Sequence, residues 1–261
     1  MDNRPIGVFD SGVGGIVVLK ELRKQLPQES FIYLGDNKQF PYGAKSKEVI
    51  IELTKVGIEF LIKKDVKAIV IACGTATSQA LEEVKEQYSI PIIGIIEPTV
   101  TYLKEKEIKN IGVIATAGTI RSKGWNHEIL KQIPDAQIQS TACPLLAPMV
   151  EEGWTENKVA KLTVKEYLKD MKKIDVLILG CTHYPLLEKA IHKCLNKKVE
   201  LINTGTYIAK QLTQILLEKG LLQDSTNKTG NIEIYLTDVH ANSRELIPKL
   251  LQEELEIKLV V

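Results

Sequence analysis

The chain is poor in the features that announce most binding modes. Its 34 basic and 33 acidic residues nearly cancel, so no chain-wide attraction to nucleic acid or anionic lipid is expected. No apolar run approaches the ~20 residues that a bilayer-spanning helix needs. The amino terminus passes almost at once into the apolar Ile6-Gly7-Val8-Phe9, without the charged-then-apolar order of a secretory signal. A cytoplasmic protein is expected, with neither membrane nor nucleic acid among its partners. Neither GxGxxG nor GxxxxGK[ST] occurs, so no standard phosphate loop is present. Cysteine is scarce: Cys73, Cys143, Cys181 and Cys194 make no CxxC and stand at no zinc-like spacing from histidine. No metal site is expected, and in a reducing compartment the four are read as thiols.

What the chain does contain is a regular alternation of short apolar runs and amphipathic stretches. With 261 residues, 44% hydrophobic and 26% charged, it is long enough for one large or two smaller α/β domains. Strands are expected at Ile6–Phe9, Phe31–Leu34, Ala68–Ala72, Ile92–Ile95, Asn110–Ala115, Gln137–Ala142, Asp175–Leu179, Val199–Ile202 and Ile232–Leu236. Helical spacing of apolar residues marks Ile16–Leu26, Ser46–Lys63 and Gly205–Lys219. Such alternation implies doubly wound, mainly parallel sheets with helices on both faces. In Ile232–Leu236 the apolar residues alternate with Glu233 and Tyr235, the pattern of a half-exposed strand near a sheet edge. Leu259-Val260-Val261 is expected to add a last short strand.

The halves resemble each other. Pro5–Gly12 reads against Asn110–Ala117, and Cys73 stands to its half much as Cys181 stands to the second. Nearly constant separation across most of a domain argues for internal duplication, giving two pseudo-symmetric α/β domains. The chain is expected to cross after Ile92–Ile95, near Glu97-Pro98, and to return around Asn203–Thr206. That places residues 1–96 and 208–261 in the first domain and 97–207 in the second, with the site in the cleft between them.

Each of the two cysteines ends an apolar run, Val66–Cys73 and Val176–Cys181, just before a helix or turn. Open α/β sheets bind ligands at that place, beyond the carboxyl ends of their strands. A thiol from each half suits a reaction that needs an acid on one side of an atom and a base on the other. Asp10-Ser11-Gly12-Val13-Gly14-Gly15 opens the first helix, where backbone N–H groups attract an anion. Asp10 would repel phosphate there and favours a ligand ammonium, although Asp10 or Ser11 could also simply cap the helix. Thr116-Ala117-Gly118-Thr119 is the corresponding loop of the second half, with hydroxyls that suit a carboxylate. Pro41-Tyr42-Gly43 reads either as a tight turn or as a segment closing over a ligand. One acid of Glu151-Glu152 can point into the cleft. His183 beside Cys181 has a concrete use, since an imidazolium lowers a thiol's pKa.

Taken together, Phe9–Gly15, Tyr33-Leu34-Gly35-Asp36, Pro41-Tyr42-Gly43, Gly94–Pro98, Gly112–Thr116, Cys143-Pro144-Leu145 with Val150–Gly153, and Leu179–Pro185 resemble the glutamate racemases, in order and over nearly the whole chain. The resemblance implies two pseudo-symmetric α/β domains around an interdomain site, no cofactor, a homodimer, glutamate as the small-molecule partner and D-glutamate supplied to peptidoglycan. It implies that Cys73 and Cys181 are the acid/base thiols, with Asp10 assisting Cys73 and with Glu152 and His183 assisting Cys181. Ser11, Pro41, Tyr42, Gly43, Gly74, Thr75, Thr116, Thr119 and Thr182 would contact the substrate. One residue departs from the pattern: family members usually carry asparagine after the first cysteine, where this chain has Gly74. Losing that hydrogen bond would cost about 1–3 kcal/mol if its partner stays buried. The departure keeps open a related racemase acting on aspartate, or a binding protein of impaired activity. A cysteine–histidine hydrolase is a third possibility, but it leaves the second thiol without a role.

Overall fold

The computed structural model describes residues 2–195, 198–223 and 229–260. Ten strands run in chain order: β1 (Ile6–Asp10), β2 (Phe31–Gly35), β3 (Ala68–Ile71), β4 (Ile92–Gly94), β5 (Asn110–Ala115), β6 (Gln137–Ala142), β7 (Val176–Leu179), β8 (Glu200–Asn203), β9 (Ile232–Leu236) and β10 (Ile257–Leu259). The helices are α1 (Ile16–Gln25), α2 (Lys47–Lys63), α3 (Gly74–Lys85), α4 (Ile96–Glu105), α5 (Ala117–Ser122), α6 (Gly124–Gln132), α7 (Leu146–Glu151), α8 (Lys158–Leu168), α9 (Glu188–Cys194), α10 (Thr204–Glu218) and α11 (Ala241–Leu251).

The strands form two wholly parallel sheets. One has the order β10-β9-β2-β1-β3-β4 and the other β6-β5-β7-β8. Removing β10 and β9 leaves β2-β1-β3-β4, the same arrangement as β6-β5-β7-β8, so the duplication visible in the sequence is repeated in the topology. β1 is buried at all five positions, as are all four residues of β3 and of β7. Continuous Val/Ile runs of this kind are what a sheet covered on both faces requires.

Each sheet places its first and third strands side by side. The loops after β1 and β3 therefore lie side by side, as do those after β5 and β7. The ends of these strands and the loops after them carry Asp10, Cys73, Thr116 and Cys181. Helix α10 packs on α1 and on α4, and α4 packs in turn on α6. One apolar core runs through both lobes by way of these helices, from Val8 and Val70 through Val100, Leu103 and Leu212 to Val113 and Ile178.

Two expectations are corrected. The Ile232–Leu236 segment is not half-exposed: β9 lies between β2 and β10, and Tyr235 is buried with its ring edge-on to Phe60 of α2. The last strand is Ile257–Leu259, starting two residues before Leu259, and Val261 lies outside the described residues. In addition, α10 runs unbroken across positions 207 and 208, so a division of the chain at that point cuts a continuous helix.

Candidate active site

Cys73 occupies the position just before α3, and its sulfur accepts the Ala76 N–H at 3.5 Å. The thiol donates to Ser11 Oγ at 3.3 Å. Burial, with the nearby Asp10 charge adding to it, pushes this thiol up to about 12. At neutral pH Cys73 therefore carries its proton.

Asp10, at the end of β1, is wholly buried. One of its oxygens accepts the N–H groups of Gly12 and Gly15 at 3.2 and 3.0 Å, and the other accepts from Thr182 Oγ1 at 3.4 Å. Burial raises its pKa to about 6, against the lowering effects of His183 and the two backbone donors. A carboxyl poised there exchanges protons near neutrality, as a proton relay must.

Cys181 is equipped differently. Its sulfur lies 3.7 Å from His183 Nδ1, and His183 Nε2 donates to Glu151 Oε1 at 2.7 Å. Burial alone would pull the imidazole down, yet the Cys181 sulfur and the Glu151 carboxylate raise it well above its ordinary value. The imidazolium so held lies close enough to the Cys181 sulfur to exchange a proton with it. The Phe40 ring packs against His183 at 5.4 Å between centroids, which keeps water from that face.

Three hydroxyls close the other side. Thr116 accepts the Thr119 N–H at the start of α5, and Thr75, Thr116 and Thr119 stand 2.9–3.1 Å from one another. Rotatable hydroxyls at the starts of α3 and α5 can turn their protons toward a carboxylate. Tyr42 is fixed by donating to Asp36 at 2.7 Å, and Asp36 is held from its other side by Thr237 at 2.8 Å. The tyrosine thus offers its ring to the site while its hydroxyl is engaged.

A cavity of about 20 Å³ lies at the centre. Ser11, Pro41, Tyr42, Gly43, Cys73, Gly74, Thr75, Thr116, Cys181, Thr182 and His183 all line it. Thr119 stands behind Thr75 and Thr116, and Asp10 behind Thr182. Glu152 does not reach the cavity: it lies exposed just past the last residue of α7, and it is Glu151, one position earlier, that bonds His183. One residue along a helix is a turn of about 100°, which carries the neighbouring carboxylate away from the imidazole. Phe40, Ala147 and Gly180 also line the cavity and were not singled out in the sequence. Gly180 had a readable signal, its place directly before Cys181. A groove of about 410 Å³ lined by Lys45, Lys47, Glu82, Glu83 and Arg121 lies outside this layer and holds none of the thiols or the imidazole, so size does not mark the site. Among the described residues no three His, Cys, Asp or Glu side chains are grouped to hold a metal ion, and no helix is long and apolar enough to cross a membrane.

Two thiols drawn from matching positions of a duplicated α/β fold, both facing one cavity, accord with an amino-acid racemase, and residues 16–212 match the model described as Asp/Glu/Hydantoin racemase. The chain belongs to that family, and it is an isomerase. It is 44% identical over 256 residues to the glutamate racemase of Aquifex aeolicus, covering 97% of this chain and 96% of that one. To the glutamate racemase of Geobacter metallireducens it is 42% identical over 241 residues, covering 91% and 89%. The crystal structure of a glutamate racemase from Francisella tularensis in complex with D-glutamate superposes with a TM-score of 0.93 at 38% identity, over 100% of this chain and 98% of that one.

Proposed function

We propose that this protein interconverts L- and D-glutamate by moving the Cα proton between two thiols. The observation that carries the reading is the placement of Cys73 and Cys181 on one cavity, each with its own proton partner: Cys73 near Asp10, and Cys181 with its sulfur 3.7 Å from His183 Nδ1. In one direction the Cys181 thiolate takes the Cα proton, so the C–H bond breaks and an S–H bond forms. The carbanion then takes the Cys73 proton on its opposite face. This leaves Cys181 as thiol and Cys73 as thiolate, the starting arrangement for the reverse reaction. Asp10 and the His183–Glu151 pair return the protons between turnovers. The threonine hydroxyls hold a substrate carboxylate, and Asp10 attracts the ammonium. Water exclusion strengthens each of these interactions.

The names of the relatives support glutamate as the substrate. The resemblance also supports a cofactor-independent reaction, a cytoplasmic homodimer, a supply of D-glutamate for peptidoglycan, and lobes formed by residues 1–96 with 208–261 and by 97–207. Aspartate is the second reading, favoured by the small cavity and by the glycine at position 74.

The test is incorporation of solvent deuterium at Cα, followed for both glutamate enantiomers and for L-aspartate. Deuterated product of inverted configuration is expected from each glutamate enantiomer, with aspartate far slower. Cys73→Ala and Cys181→Ala should each abolish racemisation. Normal turnover in both directions by either variant would refute the two-thiol scheme, and faster exchange of aspartate would reassign the substrate.

A further inference from the structure

Gly74 opens α3 directly after Cys73, and Gly180 directly precedes Cys181. A Cβ placed on residue 74 would stand 2.2 Å from the Gly180 carbonyl oxygen, while its next side-chain neighbour, Ile95 Cδ1, is 3.6 Å away. The lobes thus touch backbone to backbone, one residue from each thiol. The obstacle is main chain of the segment that carries Cys181, so it could not swing aside as the tip of a side chain can. Any side chain at 74 would have to hold the lobes roughly 1 Å farther apart, since carbon and oxygen do not approach much below 3 Å. Gly43 repeats the contact nearby: a Cβ there would lie 2.5 Å from Thr116 across the cleft.

The consequence appears in the cavity between the thiols. Its volume of about 20 Å³ is room for about one water molecule, far less than an amino acid occupies. We propose that Gly74 sets the aperture between the two thiols, allowing this chain to close beyond the separation at which a substrate fits. Admitting substrate then requires a closed contact to be undone, and a conformer that binds only after opening has its apparent affinity reduced by the fraction that is open. The proposal rests on the racemase reading only for the identity of that substrate. Residue 74 acts by spacing the lobes rather than by bonding the ligand.

Gly74→Ala separates these roles, because a methyl group adds bulk and no hydrogen bond. Two readouts are needed: the rates at which iodoacetamide modifies Cys73 and Cys181, relative to the half-exposed Cys194, and the KM and kcat for each glutamate enantiomer. Gly74→Ala should label both site thiols at least threefold faster, with the melting temperature retained, and lower KM at least threefold with a smaller change in kcat. Gly74→Asn should do the same. Unchanged labelling in Gly74→Ala overturns the proposal whatever the activity. Improvement of KM by asparagine alone also overturns it, because position 74 would then be lacking a hydrogen bond and not a spacer. Faster labelling in a protein that converts no glutamate supports the aperture and sinks the racemase reading.

Discussion

Asp10 shows how much a single side chain can cost the fold that holds it. Its carboxyl is wholly buried and titrates at about 6 instead of 3.8. The folded pKa is the higher one, so this group's protonated form favours folding. Below pH 3.8 both states carry the proton and ionisation costs nothing. Between 3.8 and about 6 the folded state keeps a proton that the unfolded chain has released, and stability falls as pH rises. Above 6 the full cost persists, of order 3 kcal/mol at most. Asp10→Asn is expected to stabilise the protein by about 1–3 kcal/mol at pH 8 and to lose that gain near pH 4, as read from thermal melts. The same substitution should remove any rise of kcat/KM through pH 6 in the direction where Cys73 accepts the proton. Equal stabilisation at both pH values would show that Asp10 is not an ionised buried group. The two adjacent glutamates give a sharper contrast. Glu151→Gln removes the charge that holds His183 protonated and should lower kcat at least about tenfold. Glu152→Gln, on an exposed side chain, should leave kcat within about twofold, since surface substitutions rarely disturb more. Reversal of that order would put the imidazole's partner at 152.

At the scale of strands and helices, most of the architecture was legible because each central strand is an uninterrupted apolar run. β5, β6 and β9 occur at the residues expected, and the other strand ends differ by one or two positions. Helix starts were legible where a side chain supplies a missing acceptor, as Ser46 does for the Val49 N–H at α2. What could not be read depends on distant parts of the chain. The burial of Tyr235 needs β10 on one side and Phe60 behind it, neither of which is local to β9. The choice between Glu151 and Glu152 depends on where α7 ends, and helix ends are the least regular part of a helix. The contact between Gly74 and Gly180 joins segments from different sheets and leaves no periodic trace. Caps, by contrast, can be tested singly. Asn157 accepts the Ala160 N–H at 2.8 Å to begin α8 and does not line the cavity between the thiols. Asn157→Ala should cost about 1 kcal/mol, seen as a lower urea midpoint with an unchanged slope and unchanged kcat. A loss of activity at full stability would show that α8 bears on the site.

For the molecule as a whole, the shared apolar core matters more than the cleft. Val8 of the larger sheet and Val113 and Ile178 of the smaller belong to one core, bridged by α4 and α10. The two lobes should therefore unfold together. Far-ultraviolet circular dichroism and the fluorescence of buried Trp125 are expected to give coincident denaturation curves. Two separated transitions would mean that the bridge is weaker than its burial indicates. The division of the sheets also sets an order of assembly. The four strands of the smaller sheet are contiguous in the chain and end at Asn203, whereas the larger sheet is completed only by β9 and β10, the latter ending at Leu259. On a ribosome the usual vectorial sequence, amino-terminal unit first, is therefore inverted. The later-encoded lobe can finish while β2 still presents an unpaired edge to solvent, and edges of that kind are where nascent chains recruit chaperones or one another.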